Sequence, residues 1–160
     1  FKTEHGKYSR TSRTPAITKS GTVYYPIWLC YAAAAVEQGG HEIKVIDSCA
    51  NQYNLEVTLN MVNEFKPDIV IEDTSTASIH EDVRTAEEIK KIFPNTLICL
   101  MGTHPSSLPE ETLRLSEGVD CVAVGEADLT CLDIANKFKN ISSSTATKTM
   151  VNLFFRTYSK

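Results

Sequence analysis

Thr96-Leu-Ile-Cys-Leu-Met-Gly-Thr-His-Pro-Ser-Ser-Leu-Pro-Glu-Glu-Thr-Leu113 passes from an apolar run, through a small flexible turn, into a proline-led acidic stretch. Thr96 to Leu100 reads as a buried strand. Gly102-Thr103 is the turn that ends it, and Pro109 to Ser116 is a helix with Pro and two Glu in its first turn. A strand that stops in a Gly-Thr turn leaves backbone N–H groups and hydroxyls at the carboxyl edge of a sheet. Open α/β sheets bind their ligands at that edge.

The same alternation extends in both directions. Downstream, Cys121 to Val124 reads as a strand and Thr130 to Phe138 as a helix. Upstream, Ile79 to Phe93 is an amphipathic helix stopped by Pro94, and Pro67 to Ile71 is a short buried strand. Leu55 to Phe65 places Leu55, Leu59, Val62 and Phe65 on one helical face, while His41 to Ile46 alternates as a strand. Pro26 to Gln38 is a helix that stops at Gly39-Gly40. Strands alternating with helices through short connections specify right-handed βαβ units. The expected fold is therefore α/β, a flavodoxin-like (Rossmann-like) doubly wound parallel sheet.

Such a sheet normally begins with a central strand. Here a polar, basic loop over residues 1–25 runs directly into a helix, so the chain is expected to start just after that strand. Residues 1–139 read as the α/β domain, and 140–160 as a linker or disordered tail built around Ser142-Ser-Ser-Thr-Ala-Thr147.

Composition narrows the function. The 160 residues suffice for one domain, and 42% hydrophobic with 22% charged residues is ordinary for a globular protein. Five Lys/Arg against Glu4 make residues 1–20 basic, and five with no acid make residues 137–160 basic. With a whole-chain charge of −4, the body between them is strongly acidic. An acidic body argues against nucleic acid as the main partner. The longest apolar run, Ile27 to Val36, is too short to cross a bilayer, and the N-terminal residues lack the apolar core of a signal peptide. A cytoplasmic location is expected. The cysteines, Cys30, Cys49, Cys99, Cys121 and Cys131, are odd in number and widely spaced, with no CxxC or CxxxCxxC. They read mostly as small core residues, not as a zinc or iron–sulfur site.

Tyr24-Tyr-Pro-Ile-Trp-Leu-Cys-Tyr-Ala-Ala33, Gly40-His-Glu-Ile-Lys-Val-Ile-Asp47, Lys66-Pro-Asp-Ile-Val-Ile71, Gly102-Thr-His104, Leu108-Pro-Glu-Glu-Thr-Leu113 and Val124-Gly-Glu126 follow one order and spacing. Over residues 10–138 this set resembles the N-terminal cobalamin-binding domain of the B12-binding radical SAM enzymes, a group that includes the anaerobic magnesium-protoporphyrin cyclase type and many methyltransferases. The resemblance implies a corrinoid lying on the carboxyl edge, against Asp47 and Cys49, Thr74, Ser75 and Thr76, Gly102, Thr103 and His104, and Gly125 and Glu126. Small residues there would let a flat macrocycle approach the backbone. On this reading a Gly102→Val change crowds the macrocycle and His41→Ala does not, since His41 and His80 read as structural or surface residues. Arg10 and Arg13 would lie near the same crevice if the absent strand preceded them.

The resemblance also implies a separate radical SAM domain, with a [4Fe–4S] cluster and S-adenosylmethionine, in a full-length enzyme. This chain alone is expected to be inactive. One departure concerns the D-x-H-x-x-G motif of methionine synthase and the B12 mutases, whose His ligates cobalt. Here the segment is Asp47-Ser-Cys-Ala-Asn-Gln52, with Cys49 at the His position, so binding without histidine ligation is implied and no metal ligand is assigned. Elsewhere both readings stand. His104 either contacts the ligand or fixes its own loop before Pro105, and the Thr74–Ser78 run is either a contact surface or a solvated loop in which Ser78 caps the next helix. The alternative function is a flavodoxin-like receiver or regulatory domain with Asp73 as phosphoacceptor. Against it, Gly125-Glu126 occupies the place of the required Lys. A nucleotide-binding enzyme lacks its G-x-G-x-x-G or P-loop.

Overall fold

The structure is a computed structural model that describes residues 2–3, 6–7, 26–48, 50–51 and 53–142, with side chains for those between 26 and 138. Cys49, Gln52, Arg10, Arg13, the rest of the basic loop and the tail beyond residue 142 lie outside the described residues. Two short strands, β1 (Lys2–Thr3) and β2 (Gly6–Lys7), pair antiparallel within the segment expected to be loop. Only Glu4 and His5 separate them, a spacing that suits a tight hairpin.

The body is a parallel sheet of β3 (Ile69–Thr74), β4 (Leu97–Gly102) and β5 (Cys121–Val122), in that order. Its helices are α1 (Ile27–Gln38), α2 (Leu55–Phe65), α3 (Ile79–Ile92), α4 (Thr103–Ser107), α5 (Pro109–Arg114) and α6 (Asp128–Ser142). Period-2 alternation divides the strand side chains between two cores. Ile69, Ile71, Cys99, Met101, Cys121 and Ala123 meet Ala32 and Val36 of α1 and Cys131, Ile134 and Ala135 of α6. Val70, Ile98, Leu100 and Val122 meet Val62 of α2 and Ile79, Val83, Ala86 and Ile89 of α3. Helices therefore cover both faces, as a flavodoxin-like doubly wound sheet requires. The thiols of Cys99, Cys121 and Cys131 are buried, and burial holds Cys99 and Cys131 well above the ordinary thiol range.

The segment His41–Ile46 corrects one expectation. Apart from a single bridging residue, Glu42, it forms no strand ladder among the described residues. Its side chains still alternate, Ile43 packing into one core and Ile46 into the other. In the 2-1-3-4-5 order of flavodoxin-like sheets this segment pairs with the first strand and not with β3. No such first strand is present among the described residues, so the alternation has no ladder to join.

The amino edge of the sheet is fastened by strong polar contacts. The buried Thr96 hydroxyl donates to the Pro67 carbonyl at 2.8 Å. Asp120 accepts the Ile98 N–H at 2.6 Å and pairs with Lys90 at 2.7 Å. A shallow surface depression beside it is lined by Glu87, Lys90, Pro94 and Ser116, at the end opposite the strand tips.

His41 is buried, with Nε2 3.1 Å from Asn136 Oδ1, so it joins the end of α1 to α6. It is structural, as read, but not silent. His41→Ala is expected to cost about 1–3 kcal/mol by emptying a buried site between α1 and α6 and removing the bond to Asn136, measured by urea denaturation.

Candidate functional site

At the tip of β3 the backbone enters a tight turn in which the Ser75 carbonyl accepts from the N–H groups of Ser78 and Ile79, both at 3.0 Å. Thr74 shares strand parity with Val70 and Glu72, so it points toward the α2/α3 layer and is only 3% exposed. Its hydroxyl donates to Asp82 on α3. Burial pushes the Asp82 carboxyl up to about 6, against the lowering effect of hydrogen bonds from Thr74 and Ser78. Glu72, beneath the same tip, is raised well above the carboxylate range by burial and then by the charge of Asp82.

Ser78 stands before α3 but does not cap it. Its φ of −113° and ψ of −9° are helical, not the extended geometry that lets a cap side chain reach forward. The hydroxyl instead accepts the Ser75 N–H at 3.1 Å and lies 3.2 Å from the Ser75 hydroxyl. Thr76, exposed at the top of the turn, lies 3.2 Å from His104 Nδ1.

At the tip of β4, Gly102 adopts φ +106° and ψ −161°, which carries the chain into α4. A Cβ there would sit 2.3 Å from the Thr74 carbonyl oxygen and 2.6 Å from Asp73 Oδ1. The room at Gly102 is thus consumed by the neighbouring strand tip. The expected Gly102→Val effect on a ligand is overtaken by a clash inside the protein. The Thr103–Ser107 stretch, to which no helix was assigned from the sequence, forms the helix α4 because Pro105 falls in the first turn, where its missing N–H costs nothing. Leu108, at φ −135° and ψ 60° before Pro109, leaves the helical region and separates α4 from α5.

His104 is 5% exposed, and its Nε2 is buried with no hydrogen-bond partner among the described residues. Ser106, not singled out from the sequence, donates to the Gly102 carbonyl at 2.6 Å and accepts the Gly125 N–H at 3.0 Å. Its signal was a hydroxyl four residues beyond the strand-ending glycine, the spacing for bonding back along one helical turn. Gly125 has φ +79°, and nothing lies within 4 Å of a Cβ built on it. Glu126 and Thr103 are exposed beside these tips.

The structure therefore brings Thr76 to His104 and Gly102 to Gly125 through Ser106, and turns Thr74 away from the rim. Asp47 closes its own loop: Oδ1 accepts the Ala50 N–H at 2.7 Å, and its carbonyl accepts the Asn51 side-chain amide at 2.8 Å. Nearby, the Ser48 and Thr58 hydroxyls stand 2.9 Å apart. Among the described residues no group of three His, Cys, Asp or Glu is placed to hold a metal ion, and no helix is long and apolar enough to cross a membrane.

Comparison with known proteins adds the context for this rim. An uncharacterized methyltransferase, PH0819 of Pyrococcus horikoshii, is 29% identical over 116 residues, 72% of this chain and 25% of its own. The anaerobic magnesium-protoporphyrin IX monomethyl ester cyclase of Rubrivivax gelatinosus is 24% identical over 110 residues, 68% of this chain and 20% of its own. The cytidylyl-2-hydroxyethylphosphonate methyltransferase of Streptomyces wedmorensis is 26% identical over 129 residues, 68% of this chain and 23% of its own. The chain thus spans a quarter or less of these relatives. The N-terminal domain of the hypothetical protein TM0182 of Thermotoga maritima aligns over 81% of this chain and 98% of its own, at TM-score 0.47 and 14% identity. Residues 13–135, most of the chain and all three strands of its parallel sheet, match the B12 binding domain, and the protein belongs to that family.

Proposed function

We propose that the carboxyl edge holds a cobalamin for a radical SAM catalytic domain, with a [4Fe–4S] cluster and S-adenosylmethionine, in a longer cytoplasmic enzyme. The observation that carries this reading is the B12 binding domain match over residues 13–135. It is supported by relatives whose names include two methyltransferases and a cyclase.

The residues at the rim suit such a ligand. Gly125 is open on its Cβ side, as close backbone approach by a flat ring requires. Thr76, Thr103 and Glu126 are exposed around it to meet peripheral amides, and His104 carries an unspent ring nitrogen within the loop. Thr74 and Asp82 act from below by fixing the Ser75–Ser78 turn. Asp47 holds Ala50 and Asn51 in its turn, and Gly102 lets the β3 and β4 tips close on each other. No described rim residue is placed as a cobalt ligand: His104 is buried with Nδ1 against Thr76 of the β3–α3 turn, and Asp47 is engaged in its own turn. Bound cobalamin supplies a cobalt centre able to carry a methyl group. This chain's residues position that centre and shield one side of it.

Mixing the 160-residue chain with hydroxocobalamin should give a coloured protein peak after gel filtration, with a visible spectrum displaced from that of the free corrinoid. A colourless peak overturns the proposal. Gly125→Ala separates ligand effects from folding. It is expected to cost only about 1 kcal/mol of stability, from the positive φ, while weakening hydroxocobalamin binding about tenfold. Unchanged affinity would remove Gly125 from the contact surface.

A further inference from the structure

We infer that Ser106 is a positioning residue that locks the tips of β4 and β5 into one platform. This rests on the reading of the carboxyl edge as the corrinoid site. Gly102, the last residue of β4, and Gly125, in the loop after β5, both have positive φ, +106° and +79°. Such residues have the widest backbone freedom, so two adjacent ones at a binding edge would leave its shape poorly defined.

The β4–β5 ladder offers little restraint. Its register ends at Leu100 opposite Val122, with one further backbone bond from the Ala123 N–H to the Leu100 carbonyl at 2.9 Å. Beyond that point the Ser106 hydroxyl bridges the two tips. Its single proton goes to the Gly102 carbonyl at 2.6 Å, and its lone pair receives the Gly125 N–H at 3.0 Å. A hydroxyl does both through one atom, and a methyl group in that place does neither.

The side chain is set for this by α4. Ser106 lies four residues after Gly102, so its Oγ bonds back to the Gly102 carbonyl in the manner of a helical serine. His104, on the same short helix, is tied by Nδ1 to Thr76 on the β3 side. α4 thus joins three consecutive strand tips, with Ser106 responsible for the β4–β5 half.

The test uses the full 160-residue chain as wild type, Ser106→Ala and Ser106→Thr. Amide hydrogen exchange at Gly125, read by NMR, reports the bond directly and needs no ligand. Titration with hydroxocobalamin, followed by visible absorbance, reports its use. Ser106→Ala should speed Gly125 exchange several-fold and weaken hydroxocobalamin binding about tenfold, with exchange at Val70 and Leu100 unchanged. Ser106→Thr, which keeps the hydroxyl, should restore both. If Gly125 exchange is unaltered in Ser106→Ala, the lock is overturned. If exchange quickens while affinity holds, the positioning role is overturned. If wild-type protein binds no hydroxocobalamin, the reading of the site falls and the positioning role with it, a result distinguishable because Gly125 exchange would still respond.

Discussion

Replacing Gly102 with valine is expected to destabilise the domain by roughly 3–5 kcal/mol, whether or not a ligand is present. Two independent effects combine. The backbone at φ +106° and ψ −161° lies in a region that is essentially glycine's alone, where any side chain costs about 1–3 kcal/mol. The new Cβ would also stand 2.3 Å from the Thr74 carbonyl oxygen, a backbone atom held by the β3–β4 ladder. Relief requires parting the two tips, which also disturbs the buried Thr74–Asp82 contact. Urea denaturation of wild type and variant measures the loss. A change under 1 kcal/mol would mean that the tips of β3 and β4 are not packed as described.

The second large effect concerns pH. The folded-state value of Asp82 is about 6 against an ordinary 3.8, raised first by burial. Between those values the folded protein holds more protons than the unfolded chain. Stability from this group is therefore full at and below pH 4, falls as pH rises toward 6, and is flat above it. A displacement of about two units corresponds to about 3 kcal/mol at neutral pH. Glu72, also raised by burial, adds a contribution of the same sign. Asp82→Asn keeps an acceptor for the Thr74 hydroxyl and removes the titration. The variant is expected to gain on wild type progressively between pH 4 and 6.5 and to be the more stable at pH 7. Denaturation curves across that interval decide it. A stability difference that does not change with pH would show that Asp82 titrates normally and is not buried as described.

Most of the architecture was legible because the two periods differ so clearly. Val70, Ile98, Leu100 and Val122 face one layer, and Ile69, Ile71, Cys99 and Cys121 the other, as strand parity dictates. The same parity carries through Glu72 to Thr74, so the inward aim of Thr74 was readable. The attraction of a hydroxyl-rich Thr74-Ser75-Thr76 run concealed it. His41–Ile46 shows the opposite limit: alternation reports two packed faces, not a hydrogen-bonded neighbour, and the neighbour is a matter of topology.

The rim was harder to read. That Gly102 is filled by a neighbouring strand and Gly125 is open depends on which tips approach each other, and both look alike as Gly in a turn. Ser78 looked like a cap from its position, but its helical backbone denied it the reach. The short helix α4 was hidden because Pro105 and the flanking Gly and Ser residues suggest an irregular turn, although a proline in a first turn is no obstacle.

The two ends of the sheet are held by different chemistry, and this sets how it deforms. At the amino edge, the Asp120 carboxyl clamps the Ile98 N–H and pairs with Lys90, and a buried threonine closes the gap to Pro67. At the carboxyl edge, the β4–β5 junction is held by the neutral hydroxyl of Ser106. The β4–β5 rim is therefore expected to open before the base, which faster amide exchange at Gly125 than at Ile98 would show.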